Sequence, residues 1–522
     1  MGTSDTSPTP DRDELAALKA ENTGLAARIK ILEEQLRLAT HKQFASSSEK
    51  LSCLGHPDLF FNEAEALGTK PETDTNAAEI TVPAHTRERG KRKPIDATLP
   101  RQRIEHDIPE SQKTCACGCQ LTRIGEVASE QIGMVPAQAF VKQHVRFKYA
   151  CRSCEGADHD GPAVVTAPMP AQPLPKSNCS PELAAFITVS KYADGLPLYR
   201  LEGILQRYHI SVSRTAMACW MIKLGELVQP LIDLFSAHAL AYDVLQMDET
   251  TVQVLKEEGR AAKDKSFMWV RRGGQPGQPV ILFDYAATRA ASVPLELLNG
   301  YQGYLQSDDY AGYNAAAKRD GVKHVGCLDH ARRYFIKAVQ AQHGVAGSER
   351  GLAPDALKII RKLYAVEKLA RDAKMTTEQR HNLRQEKAKP IWDELRAWLD
   401  KNIGAAPPQT YTGKAINYLA ADWPRLIRYL DDGRVEISNV LCENAIRPFV
   451  IGRKNWLFSD TPAGAHASAR LYSIIETAKS NGLEPYAYLR LIFEKLTQAT
   501  TPADIAALLP WNVAPAALKP TR

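Results

Sequence analysis

Tyr242–Leu255 reads YDVLQMDETTVQVL, Ser266–Arg272 reads SFMWVRR and Val280–Ala286 reads VILFDYA. All three are rich in β-branched and aromatic residues and are separated by polar or Gly/Pro-rich turns, so they predict an antiparallel meander. Beyond them the pattern changes. Pro294–Leu298 predicts a helix, Gly303–Asp308 (GYLQSD) a short strand, Tyr310–Lys318 a helix, Val322–Cys327 (VKHVGC) a strand, and Asp329–Gln340 a long amphipathic helix. The order β-β-β-α-β-α-β-α is that of a mixed sheet with helical crossovers.

Two of these strands carry a carboxylate of interest. Alternation puts Asp248 on one face of the first strand with Gln246 and Thr250, while Leu245 and Met247 turn the other way. Asp308 closes the fourth strand, which right-handed crossovers set beside the first. A third acid, Glu443, opens ENAIRPFVIGRKNWLF one helical turn before Arg447, and Pro448 is expected to kink or break that helix. Gathered at one site, the three would repel strongly unless a divalent cation sat between them. Asp243, Glu249, Asp284, Asp329 and Glu436 are the rival acids. Glu249 points to the face opposite Asp248, Asp329 suits the N-cap of the helix running to Gln340, and Asp284 is the strongest rival unless its strand bears it as a satisfied structural acid. Cys327 and His330 have metal-ligand spacing but no third partner in the sequence, and His330 is expected in the first turn of its helix near the site.

QMDET around Asp248, LQSDDYAGY around Asp308, GCLDHARRYF from Gly326 and ENAIRPFVIGRKNWLF resemble the blocks of the insertion sequence 66 family of bacterial transposases. The resemblance implies a ribonuclease-H-like core and an Asp, Asp, Glu triad at Asp248, Asp308 and Glu443. Asp309 stands where the family usually has Gly, which leaves Asp309 as an alternative register for Asp308.

At 522 residues the chain suggests about three or four domains, and 44% apolar content is ample for real cores. A net charge of +6 permits nucleic acid without demanding it. No apolar run reaches about 18 residues and no signal peptide opens the chain, so a soluble intracellular protein with no membrane role is expected. Five of the ten cysteines fall in two tight groups, favouring metal over disulfides in a reducing compartment.

Leu15, Leu18, Asn22, Leu25, Ile29, Leu32 and Leu36 follow the a/d steps of a coiled coil, with Asn22 at an a position where a buried amide favours a parallel dimer. The alternative is one amphipathic helix packed on its own protein, although no second apolar face stands out. FASSSEK, Phe44 to Lys50, resembles a junction of the family. RERGKRKP, Arg87 to Pro94, has five basic residues against one acid and reads as a solvated linker or a phosphate-gripping arm. Cys115, Cys117 and Cys119 precede Cys151 and Cys154, and two thiolate pairs can give zinc its four ligands, free structural thiols being the alternative. The strand pattern from Phe140, FVKQHVRFKYAC, suits a small β ribbon. The family resemblance matches Cys117 and Gly118 to its zinc block and implies Cys115, Cys117, Cys151 and Cys154 as ligands, with Cys119 spare.

Ser180 and Ser213 are expected to cap helices on either side of GLPLYRLEGILQRYHI. The gap between a helix ending near His209 and one starting at Ser213 fits a helix-turn-helix with Arg214 and Thr215 near base edges, or equally a generic helical bundle; the family has a block similar to YADGLPLYR here. Between Val339 and Leu430 only helices are expected. LLPWN at Leu508 resembles the family's C-terminal end.

The expected architecture is therefore multidomain α+β: tail and coiled coil over 1–50, basic linker 51–109, zinc ribbon 110–160, Pro-rich linker 161–178, helical DNA-binding region 179–238, a ribonuclease-H-like core of 239–340 and 431–482 interrupted by a helical insertion 341–430, and a C-terminal helical segment 483–522. The resemblance implies a DNA transposase, located in the bacterial cytoplasm at the nucleoid, that cleaves the ends of its element and joins them to target DNA. Two Mg²⁺ (or Mn²⁺) ions about 3.5 to 4 Å apart would serve that chemistry, Asp248 bridging them, Asp308 binding one and Glu443 completing the other. Arg332, Arg333, Arg447, Arg453 and Lys454 are the candidate phosphate partners. Homodimers or larger assemblies through the coiled coil, and accessory proteins of the same element, are the expected partners besides DNA. A regulator with an inert acidic site, or a nuclease or resolvase that cuts without joining, are the alternatives.

Overall fold

A computed structural model describes residues 12–44, 101–104, 131, 138–150, 164–342 and 351–518. The chain divides into two compact units, Met1–Lys70 with His144–Arg522, and Pro71–Gln143; the elements below belong to the first. The five expected zinc-region cysteines and the basic stretch at Arg87 lie outside the described residues.

Helix α1 (Arg12–Phe44) is followed by a two-stranded ribbon, β1 (Lys148–Ala150) with β2 (Val164–Thr166), paired antiparallel. The ribbon differs from expectation: only the end of the Phe140 stretch is strand, and its partner is the start of the Pro-rich segment. Past the ribbon the Ala167 N–H still donates to the Phe147 carbonyl at 3.0 Å, but Val145 and Phe147 are exposed and the strand pairing goes no further.

Four helices come next: α2 (Pro181–Tyr192), α3 (Leu198–Arg207), α4 (Arg214–Leu227) and α5 (Gln229–Leu240). Ser180 accepts from the Leu183 N–H and Ser213 from the Ala216 N–H, as their N-cap positions demand. Gly225 of α4 lies against the backbone of Ala467, where a Cβ would come within 2.8 Å, so glycine is what lets these helices meet the core.

The central sheet runs β5-β4-β3-β6-β7. β3 (Val244–Gln253), β4 (Lys265–Gly273) and β5 (Val280–Ala286) form the antiparallel meander. After the short helix α6 (Ser292–Leu297), β6 (Gly303–Gln306) returns parallel to β3; a single 3₁₀ turn and α7 (Asn314–Ala317) lead to β7 (Val322–Val325), parallel to β6. Side chains occupy part of both outer edges. Thr477 and Ser473 hydroxyls accept from the Ile281 and Phe283 N–H groups of β5, and Arg428 donates to the His324 carbonyl of β7.

Helix α8 (Leu328–Ala341) leaves β7 and packs against a helical block: α9 (Leu352–Asp372), α10 (Thr377–Leu383), a π turn at Arg384–Ala388, α11 (Lys389–Asn402) and α12 (Tyr411–Leu426). Arg384 is fully buried at the π turn, where it pairs with Glu367 at 2.9 Å and donates to the Tyr429 and Asp432 carbonyls. That satisfies a charge otherwise costly to bury. The chain then returns through α13 (Val440–Trp456), which lies on β3 and β4, and ends in α14 (Pro462–Ser480), α15 (Pro485–Lys495) and α16 (Pro502–Ala506).

Three expectations change. Helix α13 runs unbroken through Pro448 and ends only at Leu457, which takes φ +67. Pro448 costs the helix one backbone hydrogen bond, and the burial of Phe449 beside it against Phe283, Tyr472 and Trp456 offsets the loss. Asp329 is not the N-cap of α8: Cys327 is, and Asp329 sits in the first turn accepting from the Tyr364 hydroxyl at 2.7 Å. A second face of α1 also exists, since Glu34 and Leu38 are buried, Arg37 donates to the Ala341 carbonyl, and Glu34 accepts from the Tyr411 N–H. The seam of Leu18, Leu25, Ile29, Leu32 and Leu36 stays exposed.

Phe449→Ala should lower unfolding stability by about 3–5 kcal/mol, because it removes an aromatic ring from the joint between α13 and the sheet. Chemical denaturation of the purified chain measures it, and a loss below about 1 kcal/mol would mean that the joint does not carry the fold.

Candidate acidic site

The parallel pairing of β3 and β6 sets Gln246 opposite Gln306. Two residues further along each chain stand Asp248, midway along β3, and Asp308, just past the end of β6. The amides beneath them are joined: Gln246 Nε2 donates to Gln306 Oε1 at 2.7 Å, with both side chains buried. Asp308 Oδ1 accepts from the Tyr310 N–H at 3.1 Å, folding the loop after β6 back on itself.

Glu443 reaches the same end by a different route. Gln306 donates to the Glu436 carbonyl at 2.7 Å and the Gly326 carbonyl at 3.2 Å. Fully buried Asn439, just before α13, donates its amide to the Met247 carbonyl at 2.8 Å and its N–H to Cys327 Sγ at 3.2 Å. The 436–439 segment is thereby tied to β3, β6 and the end of β7, and Glu443 follows in the first turn of α13. From the other side Arg380 bridges Glu367 and Glu436. Burial works against the Glu436 charge, yet Arg380, with Arg384 and Arg272, holds its carboxyl down at about 2.

Asp248 is pushed well above the usual carboxylate range, first by burial and then by Glu249, Glu443 and Asp308. Asp248 therefore feels the charge of both Glu443 and Asp308. Glu443 pairs with Arg333 through one oxygen; its Oε1 lies 3.8 Å from His330 Nδ1 and has no hydrogen-bond partner among the described residues. Hard carboxylate oxygens are the donors Mg²⁺ prefers, but those of Asp248, Asp308 and Glu443 do not gather within 4.8 Å of one another, so holding an ion between all three requires them to draw closer.

The rival acids are all engaged. Asp284 pairs with Arg271 at 2.9 and 3.2 Å, Asp243 with Arg434 at 2.7 and 2.8 Å, and Glu249 with Arg289 and the Tyr313 hydroxyl. Asp309 turns to Arg425, which also holds Asp422. Asp308 lacks such an ion pair among the described residues and accepts from the Tyr310 N–H instead. Asp422 went unnoticed in the sequence; burial raises it to about 7, and nothing in its helix distinguishes it from a solvated acid.

The cations divide into two groups. Arg333 is taken by Glu443 and Arg332 lies 4.0 Å from Asp329. Arg453 donates to the Thr250 and Thr251 hydroxyls at 3.1 Å, whereas Arg447 and Lys454 are exposed on α13 with no hydrogen-bond or ion-pair partner among the described residues. Arg214 and Thr215 open α4, both exposed.

With this geometry, comparison with known proteins gives the class: residues 176–467 match the family described as Transposase IS66 family, and the chain belongs to that family. Residues 473–511 match its C-terminal element, 112–155 the zinc-finger binding domain of transposase IS66, and 31–104 a segment described as transposase C of IS166 homeodomain. The zinc-finger match supports a structural zinc. Two proteins of Sinorhizobium fredii (strain NBRC 101917 / NGR234), both described as uncharacterized, are each 32% identical: y4qI over 97% of this chain and 93% of its own, y4jD over 79% and 81%. A third, y4hP, is 28% identical over 94% and 88%. Among the described residues no helix is long and apolar enough to cross a membrane.

Asp248 holds more protons in the native than in the unfolded chain between the ordinary carboxylate pKa and its raised native one, so it lowers stability as pH rises through that window. Without added Mg²⁺, Asp248→Asn should therefore raise the melting temperature at pH 7, and the gain should shrink toward pH 4. A melting temperature unchanged or lowered at pH 7 would contradict the strained carboxylate.

Proposed function

We propose that this chain is a DNA transposase that binds the inverted-repeat ends of its element, cleaves them and joins them to target DNA at Asp248, Asp308 and Glu443. The observation that carries the reading is that Asp248, on β3, feels the charge of both Asp308, just past the neighbouring parallel strand, and Glu443, from α13. The strand order β5-β4-β3-β6-β7, antiparallel then parallel, supports a ribonuclease-H-like core, and the strandless stretch 352–430 between Asp308 and Glu443 supports the helical insertion.

The three carboxylates would hold two Mg²⁺ ions, which when bound activate the attacking oxygen and stabilise the leaving 3′ oxygen. Gln246, Gln306 and Asn439 keep the carboxylates in register without touching DNA. Arg447 and Lys454 receive phosphate oxygens, while Arg333 orients Glu443. Arg214 and Thr215 read base edges from α4, and Cys115, Cys117, Cys151 and Cys154 hold the structural zinc. The exposed seam of α1 pairs with a second copy, and the protein acts in the cytoplasm on nucleoid DNA.

Asp248→Asn, Asp308→Asn and Glu443→Gln should each retain end binding while cleavage falls by more than about 10²-fold. Three variants that cut normally would remove the site; normal cutting without joining in a strand-transfer assay would make the protein a nuclease. Arg447→Ala and Lys454→Ala should each flatten the slope of log affinity against log salt by about 0.9, measured on end DNA by fluorescence anisotropy. Unchanged slopes would take α13 away from the phosphate backbone.

A further inference from the structure

Cys327, at the end of β7, His330, in the first turn of α8, and Glu443, in the first turn of α13, bring one sulfur, one imidazole nitrogen and one carboxylate oxygen within 4.8 Å of one another. We propose that these three side chains form a further metal site, for a borderline-soft divalent ion of the zinc class. Thiol, imidazole and carboxylate together are the ligand set such an ion selects, whereas Mg²⁺ would leave the sulfur and the imidazole unused.

The surroundings favour that use in two ways. Arg333 occupies one oxygen of Glu443 and leaves Oε1 facing His330 Nδ1, and neither atom has a hydrogen-bond partner among the described residues. Cys327 is the N-cap of α8, so its sulfur lies where the helix dipole stabilises negative charge, and the Asn439 N–H donates to it. Metal uptake displaces one proton from Sγ to solvent and leaves a thiolate that accepts from the Asn439 N–H. The site takes three protein ligands and leaves a fourth position open.

Because Glu443 also serves the proposed acidic site, the two ions would compete for it. Binding itself requires no catalysis, so the test reads the metal directly. Full-length protein carrying its structural zinc is titrated with Co²⁺ and followed by equilibrium dialysis and absorption. Wild type should take up one more Co²⁺ than Cys327→Ser and show a sulfur-to-cobalt charge-transfer band that the variant lacks. His330→Ala and Glu443→Gln should weaken that binding by about tenfold or more. Equal uptake and superimposable spectra for wild type and Cys327→Ser overturn the site. Should Cys327→Ser fail to fold by circular dichroism, the other two variants decide, and unchanged Co²⁺ affinity in both overturns it equally. Loss of DNA cleavage in any of them does not bear on the outcome.

Discussion

Three buried amides hold this molecule's chemistry in place. Gln246 and Gln306 bind each other across β3 and β6, and Asn439 ties the start of α13 to β3 and to Cys327. A buried amide left without a partner costs about 1–3 kcal/mol, so the three arrangements stand or fall together. The register of the parallel strands, the return of the chain after the helical block and the approach of Glu443 are then consequences of one polar network in an otherwise apolar core.

The helical block reaches that network through charge. Arg384 and Arg380 bind Glu367, and Arg380 also binds Glu436, three residues before Asn439. The block therefore helps to seat the segment on which Glu443 depends. On the opposite side, Asp309, Arg425 and Asp422 join α12 to the loop after β6. The two aspartates at 308 and 309 are thereby divided, one accepting from the Tyr310 N–H and one paired with Arg425.

Much of the core was legible in the sequence because its signals are local. The meander follows from β-rich runs and turn residues, and the position of β6 beside β3 from crossover handedness. Ser180 and Ser213 announced their helices. What escaped depended on tertiary partners. Pro448 reads as a breaker, yet Phe449 beside it is buried against three aromatic rings. Asp329 reads as a cap until Tyr364 supplies its hydroxyl from another helix. Asp422, and the third ligand type beside Cys327 and His330, come from residues far away in the chain, which no local pattern could bring together. Among the described residues the second face of α1 rests on Glu34, Arg37 and Leu38, only one of them apolar, too little to register as a stripe.

The partial sealing of the sheet has a consequence for crowding. Edge strands with free N–H and C=O groups invite neighbouring molecules to extend them, and a protein that gathers in several copies on one stretch of polymer raises that risk with every copy. Here side chains of α14 occupy β5 at Ile281 and Phe283, and Arg428 occupies β7 at His324. The outer strands thus offer a neighbouring chain fewer free backbone groups on which to extend the sheet.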